Sequence, residues 1–267
     1  MLARLVVIAC ALCVLQPAMA AETARSGNNA NICRQALPTI RSIWQRDLFD
    51  APPAVAAVMV DAIDGKLQQV RHDLAALPAP DQAHWRQVAM LTAASTYQPA
   101  VVDGLLEDGA VVDDPALLPP FKQTFTHQVL DAAGHDPRFG GPAAVKALQS
   151  HGLVDNSANL FGPALIVVAN CDDAATLDVL LRHHADPMVR AAASLKPDAL
   201  RGPYALIIAV TQGYADVAQR LLDHGADVCA SNRLIRKPGA TLANIGKHNH
   251  LPEALIQRLN CPATASH

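Results

Sequence analysis

The clearest hydrophobic pattern in the chain runs from Tyr204 to Ala230, YALIIAVTQGYADVAQRLLDHGADVCA. Four consecutive apolar residues, Leu206–Ala209, are followed by a break at Gly213 and by a second group whose apolar residues recur at helical spacing. Gly225 comes after this second group, where a helix commonly ends in a left-handed residue that glycine adopts without a Cβ clash. The segment predicts two short helices joined by a tight turn and followed by an extended loop.

The same pattern returns elsewhere in the chain. Leu180–Leu181 precedes Leu221–Leu222 by 41 residues, and at the same offset His184 takes the place of Gly225. A helix pair of this kind cannot bury its apolar face alone, so neighbouring copies are expected to stack on one another. Further copies are predicted over residues 59–74, 90–112, 129–155 and 241–259.

At Tyr204–Ala230 the sequence resembles an ankyrin repeat, in which a TPLHLAA-like first helix is followed by a GH turn and a VVxLLLxxGADVNA-like second helix. The resemblance implies an all-α solenoid of about six helix pairs over residues 53–261. The N-terminal segment 21–52 is expected to add a capping helix, with a partner-binding helix as the alternative, and residues 262–267 are expected to fray. A generic α-solenoid or helical bundle is the alternative fold, and the GAD that ends the helix pair favours the ankyrin repeat.

The chain begins with the pattern of a cleaved export signal. Arg4 supplies the positive charge, residues 5–15 form an apolar run, and Ala18–Met19–Ala20 gives a small-x-small cleavage site. We therefore predict a signal peptide over residues 1–20 and a periplasmic mature chain. No segment reaches the ~20 apolar residues that span a bilayer, so we expect no membrane span. A lipoprotein signal at Cys10 is the competing interpretation, and the apolar stretch before that cysteine is short for it.

Composition narrows the class of protein and of partner. Apolar residues make up 51% of the chain and aromatic residues only 4%, a balance that suits small, closely stacked helices. The net charge of −3 argues against a nucleic-acid partner, which normally requires a dense basic face.

Four cysteines follow the predicted leader, and they allow three disulfide connectivities. In the stack that the resemblance implies, Cys229 and Cys261 lie in adjacent layers at the same end, so we favour this disulfide. A bond between Cys33 and Cys171 would require the N-terminal segment to fold back over several layers. Four free thiols are the remaining alternative.

The sequence predicts no catalytic or metal site. After the leader it contains no GxSxG elbow, HExxH, CxxC or phosphate-binding glycine loop. His183–His184 is interpreted as a helix end and His248 with His250 as a turn, although both pairs are metal-ligand types. Asp172–Asp173 is interpreted as a helix N-cap and not as a catalytic carboxylate pair. We expect a non-enzyme without cofactors.

The ankyrin resemblance implies a protein-binding surface on the loops between helix pairs and on the first helices. Tyr and Arg are favoured there because they combine a large contact area with a polar tip. The expected loops are residues 111–120, 153–159, 187–201 and 229–237. The expected contact residues are Tyr97, Gln98, Arg190, Arg201, Thr211, Tyr214, Arg233 and Arg236.

The same resemblance, together with the export signal, implies a class of function. Small exported ankyrin proteins of Gram-negative bacteria include immunity proteins, which block antibacterial effectors by occlusion. We therefore expect a protein that is monomeric when free and binds a secreted toxin. A periplasmic scaffold or stress-protection partner of a resident enzyme is the second hypothesis, and an enzyme site grafted onto the solenoid is the third.

Overall fold

The computed structural model describes residues 33–34, 37–38, 40–41, 44–45, 51–114, 117–118, 159–160, 163–190, 203–235 and 238–261. The strands in these residues are β1 Leu117–Leu118 and β2 Asn159–Leu160, which pair antiparallel. The helices with defined bounds are α1 Pro53–Ile63, α2 Leu67–Ala76, α3 Ala79–Ala94, α4 Pro99–Glu107, α5 Ala164–Asn170, α6 Ala174–Arg182, α7 Ala205–Gln212, α8 Ala215–Asp223, α9 Val228–Leu234, α10 Leu242–His248 and α11 Glu253–Arg258.

The helices pack as a ladder of consecutive pairs. Within the described residues, layer 1 is α1 with α2, layer 2 is α3 with α4, layer 3 is α5 with α6, layer 4 is α7 with α8, and layer 5 is α10 with α11. Each first helix contacts the first helix of the next layer, and each second helix contacts the next second helix. This is the nearest-neighbour packing of a solenoid, so the predicted helical stack is confirmed for this part of the chain.

Local sequence sets the ends of several helices. The Asp173 side chain accepts a hydrogen bond from the Thr176 amide at the start of α6, and Thr241 accepts one from Asn244 at the start of α10. Such caps satisfy amides that have no partner within the helix. The N-cap interpretation of Asp173 is therefore confirmed. Pro53 occupies the first helical position of α1, where its missing amide proton costs nothing.

Every turn between the first and second helix of a layer contains a left-handed residue. These residues are Gly65, Tyr97, Asp172, Gly213 and His250, with φ between 56° and 77°. A left-handed residue ends the first helix and reverses the chain, and it costs a residue with a Cβ about 1–2 kcal/mol. Because the position recurs once per layer, it gives a residue-by-residue register between layers.

The second helices α4, α6 and α8 are also followed by a left-handed residue, which after α4 is Gly109. Gly225 has φ +90° after α8, and His184 has φ +63° after α6. The sequence register placed His184 at this position, so the predicted non-glycine helix end is confirmed. Its backbone amide still closes the turn by donating to the carbonyl of Leu181.

Apolar side chains form one continuous core through the layers. Leu180 of layer 3 and Leu221 of layer 4 are fully buried, whereas Leu222 is half-buried. Ion pairs bridge each second helix to the next across the outer side of the stack, and individually such exposed pairs contribute only ~0–1 kcal/mol. They are Arg71–Asp108, Arg182–Asp103, Arg220–Asp178 and Arg258–Asp223.

Layers 2 and 3 are direct neighbours although a long segment separates them in sequence. The Tyr97 hydroxyl donates to the Cys171 carbonyl at 2.8 Å, and the Asp113 carboxylate accepts from the Asp186 amide at 3.0 Å. The strands β1 and β2 pair antiparallel at the two ends of the intervening segment 119–158. The predicted repeat over 129–155 lies outside the described residues.

The N-terminal segment runs along the turns of three layers. Its described residues between 33 and 45 are helical, and we call them the N-terminal strap. Arg41 is bonded to Asp64 at the turn of layer 1, Arg34 lies over the Tyr97 ring at layer 2, and Cys33 forms a disulfide with Cys171 at layer 3.

The strap corrects a prediction about the disulfides. Pairing of Cys33 with Cys171 was disfavoured because several layers were expected to lie between them, yet the bond forms with a Cα–Cα distance of 5.7 Å. The helical strap crosses the turn edge directly, so the chain does not need to fold back over the stack. Trp44 at the other end of the strap is buried in the core cluster.

The favoured disulfide between Cys229 and Cys261 is confirmed, with a Cα–Cα distance of 5.1 Å. It ties the short helix α9, which occupies the loop after layer 4, to the chain after α11. The Asn232 side chain also accepts a hydrogen bond from the Leu242 amide, so α9 is fixed to the start of α10. Among the described helices none is long and apolar enough to cross a bilayer.

Candidate protein-binding surface

The first helices present one stripe of residues away from the second helices. On α7 the stripe is Tyr204, Ile208 and Thr211, whose i, i+4, i+7 spacing places them on one face. The left-handed residues of the turns give the equivalent positions in the other layers. They are Val88, Thr92 and Ser95 in layer 2, Pro163, Val167 and Asn170 in layer 3, and Thr241, Ile245 and His248 in layer 5.

Exposure of this stripe changes along the stack. In layer 2 Thr92 is 2% exposed and Ser95 9%, and in layer 3 Asn170 is 7% exposed. In layers 4 and 5 no stripe residue is buried, and Thr211 and His248 are fully exposed. The stripe is therefore buried throughout layer 2 and at Pro163 and Asn170 of layer 3, where Val167 is half-buried, and it is open over layers 4 and 5. We call the six residues of layers 4 and 5 the open stripe.

In layer 2, contacts within the protein cover the stripe. The Thr92 hydroxyl lies 3.6 Å from the Met59 sulfur of layer 1, and the Ser95 hydroxyl donates to the Thr92 carbonyl. The turn of layer 2 contacts the N-terminal strap, because Tyr97 contacts both Arg34 and Cys171. Thr92 and Ser95 are therefore buried in the interior of the protein and are not available to a partner.

Hydrogen bonds and a backbone bridge fix the helices that form the open stripe. The Asn249 side-chain amide donates to the carbonyls of Val210 and Thr211, which fixes the end of α10 against the end of α7. At the other end of α7, Tyr204 forms an antiparallel bridge with Arg190, whose guanidinium lies 5.6 Å from the ring centroid. A preorganised surface loses less entropy when it binds a partner.

The helices α7, α9 and α10 contain no Asp or Glu. Arg233 on α9, Lys247 on α10 and His248 on the stripe are exposed. In the register of the layers Lys247 takes the place of Val210, which is buried between layers, so Lys247 does not belong to the stripe. Asp227 caps α9 by accepting from the amides of Cys229 and Ala230.

The structure corrects the role of one predicted contact residue. Tyr214 is 4% exposed and belongs to the core cluster, because it begins α8 and turns into the stack. It is not a surface anchor. Tyr97 is half-buried between the strap and layer 3, and this burial raises the pKa of its hydroxyl to about 12. Gln98 is half-buried beside it and donates to the Thr96 carbonyl.

The other predicted contact residues fall into two groups. Thr211 and Arg233 are exposed, Thr211 on the open stripe and Arg233 on the neighbouring α9, and Arg190 lies at its edge. Arg201 and Arg236 lie outside the described residues. The structure adds Ile208 and His248, which the sequence reasoning did not assign to the binding surface. The left-handed turn residues Gly213 and His250 give the register that relates Thr211 to His248.

The acidic and histidine residues that were candidates for chemistry have structural roles. The His183 Nε2 lies 2.7 Å from the Asp103 Oδ1 of the preceding layer, and its hydrogen bond lowers the pKa of the Asp103 carboxyl. Burial raises the pKa of Asp172, and nearby Asp216 adds to the shift. In the residues that the structure describes, no three metal-binding side chains come together.

Comparison with known families agrees with this geometry. Residues 201–233 match the family model for the ankyrin repeat, which covers α7, α8 and most of α9. This segment of the chain is similar to an ankyrin repeat. The matched repeat is layer 4, at the start of the open stripe, and ankyrin repeats indicate a role in protein interaction. No curated protein matched the chain.

Proposed function

We propose that this ankyrin-repeat protein is a non-catalytic inhibitor that binds another protein through the open stripe. The observation that carries the proposal is the change of exposure along the first helices. Ser95 and Asn170 are buried, whereas the equivalent Thr211 and His248 are exposed beside half-buried Ile208 and Ile245. An apolar patch with a polar rim is typical of an interaction site.

We further propose that the partner is an antibacterial effector and that the protein acts as its immunity protein in the periplasm. The export pattern of residues 1–20 supports this location, and two disulfides suit an oxidising compartment. The mechanism is occlusion: the rigid layers 4 and 5 cover the effector's active site, so inhibition requires no reaction by this chain. The free protein is proposed to be a monomer.

The proposal predicts that a toxin gene lies beside this gene, and the test is a competition with sister cells that secrete that toxin. Recipients that produce the full chain should survive, whereas recipients that produce a chain lacking residues 2–20 should be killed. A one-to-one complex of the mature chain with that toxin should form in vitro.

A matched pair of variants locates the surface. Thr211→Trp adds bulk to the open stripe and should weaken the complex, while Gln257→Trp adds the same bulk to an exposed position of α11 and should leave it intact. Equal survival with and without the gene would remove the immunity proposal. Capture of a resident periplasmic enzyme by the same surface would favour the scaffold function.

A further inference from the structure

The loops that follow α4, α6 and α8 each use the same position to contact the next layer. The fourth residue after the left-handed helix end is Asp113 after α4, Met188 after α6 and Cys229 after α8. The Asp113 carboxylate accepts a hydrogen bond from an amide of layer 3, and Cys229 is joined by a disulfide to the chain after α11. The Met188 sulfur accepts from the Asp227 amide of the layer 4 loop at 3.1 Å. This contact between the loops of layers 3 and 4 therefore uses a thioether, which is a weak acceptor.

Met188 is also the sulfur of the mature chain that an oxidant in solution can reach. The methionines that follow the predicted leader are Met59, Met90 and Met188. Met59 and Met90 are fully buried, whereas Met188 is half-buried in a loop. The four cysteines in the same part of the chain are all in disulfides, so no free thiol competes with it for an oxidant.

We propose that Met188 is a site of oxidation to methionine sulfoxide by hydrogen peroxide, and that the sulfoxide weakens the contact between the loops of layers 3 and 4. A lone pair of the sulfur attacks one peroxide oxygen, so that an S–O bond forms and the O–O bond breaks. The sulfur is oxidised by two electrons and the peroxide is reduced. The departing hydroxide takes the proton of the transferred oxygen and leaves as water.

The present geometry of the contact does not accommodate a sulfoxide. An amide needs about 2.7–3.2 Å to bond an oxygen, and the Asp227 nitrogen already lies 3.1 Å from the Met188 sulfur. An oxygen on this side of the sulfur would require the two loops to separate. An oxygen on the other side would place a polar group against the apolar core residues on which Met188 packs. Either product weakens the contact.

The affected loop borders the open stripe. Arg190 follows Met188 by two residues and forms the antiparallel bridge with Tyr204 at the start of α7. Asp227 caps α9 through its side chain, so its backbone is shared between the sulfur contact and that helix. Oxidation of Met188 would therefore act at the junction of layers 3 and 4, where the open stripe begins. The inference does not rest on the proposed function, because it concerns contacts within this chain.

The experiment treats the folded mature chain with hydrogen peroxide and measures the oxidised fraction of each methionine by peptide mass spectrometry. Met188 should be oxidised at least about tenfold faster than Met59 and Met90, whereas the three should react at similar rates in urea. Amide hydrogen exchange of the oxidised chain should be at least about threefold faster in peptides that cover residues 185–189 and 226–230. Exchange in peptides from layer 1 should not change.

A matched pair of variants assigns the response to one sulfur. Met188→Leu keeps an apolar side chain of similar volume but has no sulfur to oxidise, so exchange in both loops should be the same with and without peroxide. Met90→Leu makes the same replacement at a buried methionine and should respond to peroxide as the parent chain does.

Three results would overturn the inference. Equal oxidation of the three methionines in the folded chain would show that Met188 is not reached selectively. Selective oxidation without faster exchange would show that the sulfur contact does not hold the loops. The same increase of exchange in Met188→Leu after peroxide treatment would show that another residue is responsible.

Discussion

Cys33 is bonded to Cys171 across 138 residues of sequence, and this bond ties the N-terminal strap to the turn of layer 3. The strap also contacts the turns of layers 1 and 2 through Arg41 and Arg34. One covalent bond therefore holds three layers together along a single edge. The second disulfide, between Cys229 and Cys261, closes only 32 residues at the other end of the stack.

Removing the longer-range disulfide should cost more stability. Loop-closure entropy predicts a loss of about 5 kcal/mol for Cys33→Ala with Cys171→Ala and about 4 kcal/mol for Cys229→Ala with Cys261→Ala. Urea unfolding of the two double variants measures the difference. Trypsin should also cut after Arg41 faster in the first variant and at an unchanged rate in the second. A first variant as stable and as resistant as the parent chain would show that the strap is not held by its disulfide.

The hydrogen bond between His183 and Asp103 should make stability depend on pH in the acid range. The bond from His183 lowers the pKa of Asp103 below the ~3.9 of an unfolded aspartate, so its stabilising effect is present above that value and is lost as the pH falls through the folded pKa. Asp103→Asn should reduce the free energy of unfolding at pH 7 by ~1 kcal/mol or less.

The difference in unfolding free energy between the parent chain and Asp103→Asn should narrow as the pH falls through the folded pKa of Asp103 and vanish below it, where the aspartate is protonated in both states. Asp113 and Asp172 titrate in the opposite sense, because burial raises the pKa of both. The difference between variant and parent isolates Asp103 from them. Urea unfolding at pH 7 and over a series of acidic pH values gives the result, and a difference that widens on acidification would contradict the assignment.

Leu221 and Leu222 are adjacent in sequence but differ in burial, so they form an internal control. Leu221 is fully buried between layers, and its replacement by Ala should cost ~2–5 kcal/mol. Leu222 is half-buried, and the same replacement should cost clearly less. Thermal or urea unfolding of both variants decides the order. A larger loss at Leu222 would mean that the register of α8 against its neighbours is shifted by one residue.

The left-handed ends of α6 and α8 should respond oppositely to substitution. His184→Gly removes the Cβ from a residue with φ +63° and should stabilise the protein by ~0.5–1 kcal/mol. Gly225→Ala adds a Cβ that meets no atom within 4 Å, so its expected cost of ~1 kcal/mol is conformational strain alone. Unfolding free energies measure both. Destabilisation by His184→Gly would indicate a side-chain contact that outweighs the strain.

Much of the fold was already determined by short stretches of sequence. The apolar spacing of 204–230, the glycine at Gly225 and the offset that placed His184 at the same position are local properties, because helix formation and helix ends depend on residues a few positions apart. The stack followed from them, since a lone helix pair leaves an apolar face exposed. The adjacency of Cys229 and Cys261 could be predicted because it needs only the next layer.

The tertiary structure decided what depends on contacts between distant residues. Tyrosine is a residue type that often anchors interfaces, yet Tyr214 lies at the start of α8 and is buried in the core. To predict the Cys33–Cys171 bond, one must know that layers 2 and 3 are in contact across the intervening segment. No local sequence pattern contains this information. The open stripe exists for the same reason: equivalent residues such as Thr92 and Ile208 differ in exposure because of what packs on them, and packing is a property of the whole stack.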